Sequence, residues 1–202
     1  MNGSNWRSVI YATGSALLKC VTSMTTLKTK KSVHCDSINE VLFYGAEDDK
    51  TKEEIGTNNL LCIYYVIVHA CRSVDVCLPT LNSDTISKCL ISVHQRNCVV
   101  IRIILYNAEN IDMLQGLVKQ GITVKIVNFA PKLEHEFIII DAIDNCKDAV
   151  AVLGSLDYEL SRVNCNRDST LLTSDCTVIQ ALKKEFDRIW SLEGNVPCDW
   201  IK

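Results

Sequence analysis

The sequence predicts an α/β fold: a single domain on a mixed sheet flanked by helices. Three observations carry that expectation. Short β-branched apolar runs alternate with longer amphipathic stretches between residues 74 and 127, the order of a largely parallel sheet. Strand-like runs at 137–141, 149–153 and 171–173 then follow one another without a helix between them, which makes the sheet mixed. The 202 residues are 48% hydrophobic and 22% charged, enough to bury a core and too apolar for disorder throughout.

Residues 40–44 (EVLFY) read as a strand ended by Gly45. Residues 46–58 are acidic and polar and read as a loop. Residues 59–71 are apolar nearly all round, which favours a buried helix. Residues 74–78 (VDVCL) form a short buried strand. Asp84 is placed to cap a helix reaching about Gln95, with Ile86, Leu90 and Val93 on one face. Residues 99–105 (VVIRIIL) are the next strand, 108–120 a helix closed by Gly121, and 123–127 another strand. The run at 149–153 ends in Gly154 and Ser155. The last helix spans about 177–192, with Val178, Leu182, Phe186, Ile189 and Trp190 as its apolar stripe.

Charge divides the chain. Residues 1–35 carry five bases (Arg7, Lys19, Lys28, Lys30, Lys31) and no acid, and the remainder is net −8, so the whole is net −3. That argues against non-specific nucleic-acid coating as the main mode, though not against a local basic patch. Residues 1–36 are a basic leader, 37–193 the domain and 194–202 a tail. The apolar stretch 9–18 is shorter than the ~20 residues of a spanning helix. A weak membrane anchor, an amphipathic targeting segment and a plain tail all fit it. The eleven cysteines are odd in number and contain no C-x-x-C, so they are not a disulfide scaffold. Cys62, Cys71, Cys77, Cys89 and Cys98 lie in apolar runs, as buried reduced thiols of an intracellular protein do. No paired ligand spacing suggests structural zinc, and no cofactor or metal is expected.

The richest polar cluster surrounds the runs 137–141 and 149–153. Leu-x-x-x-Phe-Ile-Ile-Ile-Asp (133–141) is followed by Ala-Val-Leu-Gly-Ser (151–155), and Asn-x-Asp begins eleven residues after the serine, at Asn166 and Asp168. This order resembles the core of the phospholipase D superfamily, whose signature is H-x-K-x-x-x-x-D, then G-S, then N-x-E/D. Within it the chain is most similar to the mitochondrial phospholipase D (cardiolipin hydrolase)/Zucchini-like group. The segments 40–44, 73–78 and 117–124 agree in the same order, as does Thr173-Ser174-Asp175 before a helix holding 185–190, so the resemblance covers about residues 38–193.

Carried over by position, the aspartate falls on Asp141, the histidine on Glu134 and the lysine on Glu136. Gly154 and Ser155 match G-S, and Asn166 and Asp168 match N-x-E/D; Asp157 and Glu159 stand where asparagine and threonine are usual. The resemblance implies a phosphodiesterase acting on cardiolipin, or on RNA in the small silencing RNA pathway of the germline. Its members work as homodimers: two motifs share one site, one histidine attacks, the other is the general acid, and the lysines hold the phosphate. Glutamate cannot replace that lysine. Two anions at ~4 Å repel by about 4 kcal/mol at an effective dielectric of about 20. The expectation is a degenerate, inactive motif on a binding or scaffold protein, as a homodimer or a heterodimer with an active relative. By resemblance it sits at the mitochondrial outer membrane, otherwise in the cytoplasm.

The alternative is an active phosphodiesterase using a rearranged site or His135, which is one residue out of place, where alternation turns the side chain to the other face. For Glu134 and Glu136 the plain reading is a solvated strand end. A Mg²⁺ or Ca²⁺ site from Glu134, Glu136, Asp141 and Asp157 is the weaker one. His69 is expected in the core and His94 at a helix carboxyl end; His34 has no catalytic partner in sequence. The zinc insertion of the Zucchini group is not expected, since residues 45–58 hold neither Cys nor His. Their acidity also disfavours RNA there.

Overall fold

A computed structural model describes residues 37–45, 49–106, 109–127, 130–143, 148–154, 165, 167–192 and 196–197. The expectations for residues 1–36 lie outside them.

The described chain folds as one mixed sheet of eight strands in the order β1-β7-β6-β5-β2-β3-β4-β8. Their ranges are β1 Asn39–Phe43, β2 Ser73–Leu78, β3 Val100–Leu105, β4 Thr123–Ile126, β5 Phe137–Ile140, β6 Val150–Gly154, β7 Ser169–Thr173 and β8 Val196–Pro197. β2, β3 and β4 are parallel neighbours, and every other pairing is antiparallel. Four helices accompany them: α1 Asp49–Val68, α2 Asp84–Asn97, α3 Ile111–Lys119 and α4 Cys176–Trp190. The expected α/β class and mixed sheet are present.

The β2-α2-β3-α3-β4 stretch is a pair of parallel crossovers, which places their helices on one face. α4 covers the other face, where Ile179, Phe186 and Ile189 pack with Cys77, Ile104, Phe137, Ile139 and Ala151. β2 is buried along its whole length. It nevertheless carries Asp75, whose carboxylate takes two hydrogen bonds from Arg102 of β3, each at 2.8 Å. Arg102 also reaches Asp187 of α4 at 3.0 Å, and its guanidinium lies 4.7 Å from the Phe186 ring centroid. Burial works to raise the Asp187 carboxyl, but hydrogen bonds from Lys183 and Arg102 outweigh it and hold the group below its ordinary range.

Several boundaries differ from the sequence expectation. α1 begins at Asp49, inside the expected loop, and ends at Val68. The polar stretch that precedes the apolar run therefore belongs to the helix rather than to a loop. Ser83 caps α2, accepting from Ile86 N at 3.2 Å, and Asp84 is in the first turn. α3 ends before Gly121, whose φ of +87° is the left-handed turn expected of it. β8 lies in the segment expected to be a tail.

His69 is exposed, contrary to the core expectation, because it lies past the end of α1; its ring stacks on Tyr65 at 4.0 Å. Of the five cysteines expected to be buried, Cys77 is; Cys62 and Cys89 are half-buried, and Cys71 and Cys98 are exposed. Those last two stand in the connections after α1 and α2, not within the helices. His94 is near the end of α2 as expected, with Nδ1 2.8 Å from Val99 O.

Candidate functional site at the carboxyl edge of the sheet

β5 runs antiparallel to β2 with Phe137 opposite Cys77, so the residues just before β5 lie at the edge where the parallel strands end. β6 finishes and β7 starts at the same edge. Gly154 N donates to Glu136 O at 3.1 Å, Gly154 pairs with Thr170, and Thr170 pairs with Leu42. One step nearer the edge, Tyr44 N donates to Asp168 O at 3.0 Å. Glu136, Gly154, Thr170, Asp168 and Tyr44 therefore gather where α/β sheets carry their ligands.

Gly154 is set by packing. A Cβ there would stand 2.9 Å from both Ser169 O and Thr170 Oγ1, inside the backbone of β7. The missing side chain lets β6 and β7 approach beside Glu136. Glu136 Oε2, Thr170 Oγ1 and the Tyr44 hydroxyl are all shielded from solvent. Burial pushes the Tyr44 phenol up to about 12, against a lowering influence of the Thr170 hydroxyl, so it stays neutral at physiological pH.

Glu134 sits differently. Its side chain is 66% exposed and bonds the Lys132 ammonium at 2.6 Å. That hydrogen bond is the leading reason the Lys132 ammonium is raised. His135 points elsewhere: Nε2 lies 3.1 Å from Glu185 Oε1 on α4, and its ring is 6.1 Å from that of Phe137. Alternation puts His135 with Phe137 on the α4 side, and Glu136 on the opposite face. Glu185 is also held by Arg188 at 2.7 and 2.8 Å. The Arg188 hydrogen bond is the main cause that lowers its carboxyl below the ordinary range.

Asp141 is not at this edge. It follows β5 at the far end of the strand, 7% exposed and with a left-handed φ of 58°. Its Oδ1 accepts from the backbone N–H of Cys71 (3.1 Å), Arg72 (2.7 Å) and Ser73 (3.0 Å), and its Oδ2 from Cys71 (3.0 Å). Arg72 Nη2 donates to Asp141 O at 2.9 Å. Asp141 ties the end of β5 to the chain entering β2, and the length of β5 separates it from Glu134 and Glu136. The weaker metal reading is not assembled, because Asp141 lies at the wrong end. Ser155, Asp157, Glu159 and Asn166 lie outside the described residues.

A family profile described as "Cardiolipin synthase, PLD-like domain" matches residues 63–190. The chain belongs to the phospholipase D-like family. Among curated relatives, this phospholipase D-like chain is 27% identical over 127 residues to a mitochondrial cardiolipin hydrolase of Xenopus laevis, covering 61% of this chain and 57% of that protein. It is 28% identical over 138 residues to a mitochondrial cardiolipin hydrolase of Homo sapiens, covering 67% of this chain and 52% of that protein. The chain thus spans a little over half the length of these relatives. Among solved structures, NucT from Helicobacter pylori superposes with a TM-score of 0.61 at 19% identity, covering 80% of this chain and 99% of NucT. Nuc from Salmonella typhimurium, a phospholipase D family member, gives 0.61 at 14% identity, covering 80% and 98%. These two likenesses show the phospholipase D-like fold.

Ahead of β5 this edge presents the carboxylates of Glu134 and Glu136. Such an edge can accept hydrogen bonds and attract cations; it does not hold a phosphate through Glu134 or Glu136. Sequence reasoning missed Tyr44, Thr170 and Glu185 as site neighbours. Thr170 stands two residues after Asp168 at a strand start, the one signal that pointed to it. The pairing of His135 with Glu185 spans 50 residues and had no local signal.

Proposed function

We propose that this phospholipase D-like chain is catalytically inactive and acts as a binding or scaffold protein. One observation carries the reading: Glu134 and Glu136 occupy the motif positions of the nucleophilic histidine and the phosphate-holding lysine. The engagement of Glu134 with Lys132 and of His135 with Glu185 supports it, since neither arrangement offers an imidazole to the Gly154 row. The dimeric habit of the family suggests a homodimer through the motif edge, or a heterodimer in which an active relative supplies the histidine and lysine. The curated relatives' names suggest a mitochondrial surface. No helix among the described residues is long and apolar enough to cross a membrane.

The competing reading is an active phosphodiesterase, on cardiolipin or single-stranded RNA, with His135 as nucleophile. Its support is the His135–Glu185 contact, a base held by a carboxylate. Assays of the purified full chain on cardiolipin vesicles and on single-stranded RNA separate the two. The expected result is no turnover by the wild type and activity in a Glu134→His, Glu136→Lys double variant. Wild-type turnover that disappears on His135→Ala overturns the inactive reading. Sedimentation equilibrium tests the homodimer: a lone 22.6 kDa species across the micromolar range refutes it.

A further inference from the structure

At the end of the sheet remote from β8, β1 leaves an open edge. It is the terminal strand of the eight and pairs with β7 alone among the described strands. Ser174 N donates to Ile38 O at 2.8 Å and Tyr44 N to Asp168 O at 3.0 Å, so the even-numbered residues of β1 direct their backbone groups at β7. The N–H and C=O groups of Asn39, Val41 and Phe43 therefore point out of the sheet. Among the described residues one side chain reaches them: Asn59 Nδ2 donates to Phe43 O at 3.0 Å. Edge strands are commonly blunted by lysine, proline or a bulge. β1 (NEVLF) contains neither residue, and its register with β7 runs unbroken.

The same odd-numbered residues face the α4 side of the sheet. Val41 stands opposite Leu171, Leu171 opposite Leu153, and Leu153 opposite Phe137, and directly opposed residues share a face. Phe137 is buried in the core with Ile179, Phe186 and Ile189 of α4. Leu153 and Leu171 are half-buried, Val41 is 51% exposed, and Phe43 beside it is 69% exposed. α4 thus covers one end of an apolar row whose other end runs out bare to the open edge. The opposite face of β1 carries Leu42, which is buried, and Glu40, which is exposed. Glu40 is the one charged residue of β1 and β7 together.

We propose that β1 is a docking edge for an extended segment of a partner protein, which adds an antiparallel strand with aliphatic side chains on the α4 face and a lysine or arginine opposite Glu40. The segment residue opposite Val41 exchanges two backbone hydrogen bonds with it. The residues two positions to either side lie opposite Phe43 and Asn39 on the same face, and the next residue towards the segment's carboxyl end meets Glu40. Charge favours such a segment over a second copy of this chain. Two β1 strands paired about Val41 would set both Glu40 side chains on one face of adjacent strands, with no base in either strand to offset them. The edge makes no use of Glu134 or Glu136, so the proposal stands whether or not that row is catalytic.

The probe is a rhodamine-labelled, amidated peptide of sequence Thr-Ile-Thr-Val-Lys-Thr-Thr, whose valine is placed to meet Val41 and whose lysine is placed to meet Glu40. Its binding to the full-length protein is followed by fluorescence anisotropy, and saturable binding is expected. Methylating the valine nitrogen leaves composition and charge in place but removes the donor to Val41 O, and weakens binding at least about tenfold. Replacing the peptide lysine by glutamate weakens it about fivefold. Val41→Lys abolishes saturation in a chain whose circular dichroism is that of the wild type. In the ¹⁵N-labelled protein, amide exchange slows at Asn39, Val41 and Phe43 on binding and is unchanged at Glu40 and Leu42, which already bond β7. Absence of saturable binding, equal binding of the methylated peptide, or slowed exchange without that alternation overturns the proposal. A wild-type dimer in sedimentation equilibrium that Val41→Lys dissociates also overturns it, by giving the edge to a second copy.

Discussion

At its carboxyl end β5 passes into Asp141, 7% exposed, whose carboxylate is filled by the N–H groups of Cys71, Arg72 and Ser73. At its amino end the same strand follows Glu134, 66% exposed and joined to the neighbouring Lys132. Both are carboxylates, seven residues apart in the chain. One is built into the backbone of its neighbours and the other is free to change. The difference teaches that the two ends of one strand are held in different ways. Asp141 ties the strand to its neighbours through buried backbone N–H groups, while Glu134 rests on a solvated ion pair with a residue two positions away.

The largest expected effect tests the holding end. Asp141→Ala strands three backbone donors in a buried site and destabilises the protein by about 4 kcal/mol in urea unfolding. A loss below about 1 kcal/mol breaks the contrast. Gly154→Ala comes next. It sets a methyl against the β7 backbone and costs about 2 kcal/mol, showing that the motif edge is fixed by packing even where its charges are not. Glu134→Gln is expected to shift stability by less than about 0.5 kcal/mol, because the partner is adjacent in sequence and solvated. A large loss there would place Glu134 in the framework after all.

The smallest effect concerns acid. The folded-state carboxyl of Asp187 lies below its ordinary value of 3.8, so its contribution is present above that value and lost as pH falls through the lowered one. The stability gap between wild type and Asp187→Asn, measured by urea midpoints, therefore closes between pH 5 and strong acid. A gap that widens on acidification contradicts the sign.

Much of this was legible because it is local. The runs 99–105 and 137–141 differ from β3 and β5 by a residue at one end, since a buried strand advertises itself in consecutive β-branched residues. The half of α1 from Asp49 was illegible as helix because its run of polar residues shows no apolar periodicity. β8 has two residues, one of them proline, and exists only through pairing with β4. At the site, spacing from Asp141 located Glu134 and Glu136, and alternation turned His135 from their row. The Asp141 cradle and the His135–Glu185 contact were illegible because each depends on a segment at least 50 residues away.

The edge strand β1 has a consequence for synthesis. Ile38 and Ser174, bonded to each other across β1 and β7, are 136 residues apart in the chain. β1 therefore leaves the ribosome first of the described elements and waits for its neighbour through the translation of almost all the others. At ~5–20 residues per second that interval is roughly 7–30 s. Phe43, 69% exposed even in the finished fold, is open to chaperones throughout it. Ribosome-stalled chains ending before residue 169 should leave β1 open to protease, and chains extended well past residue 174 should protect it.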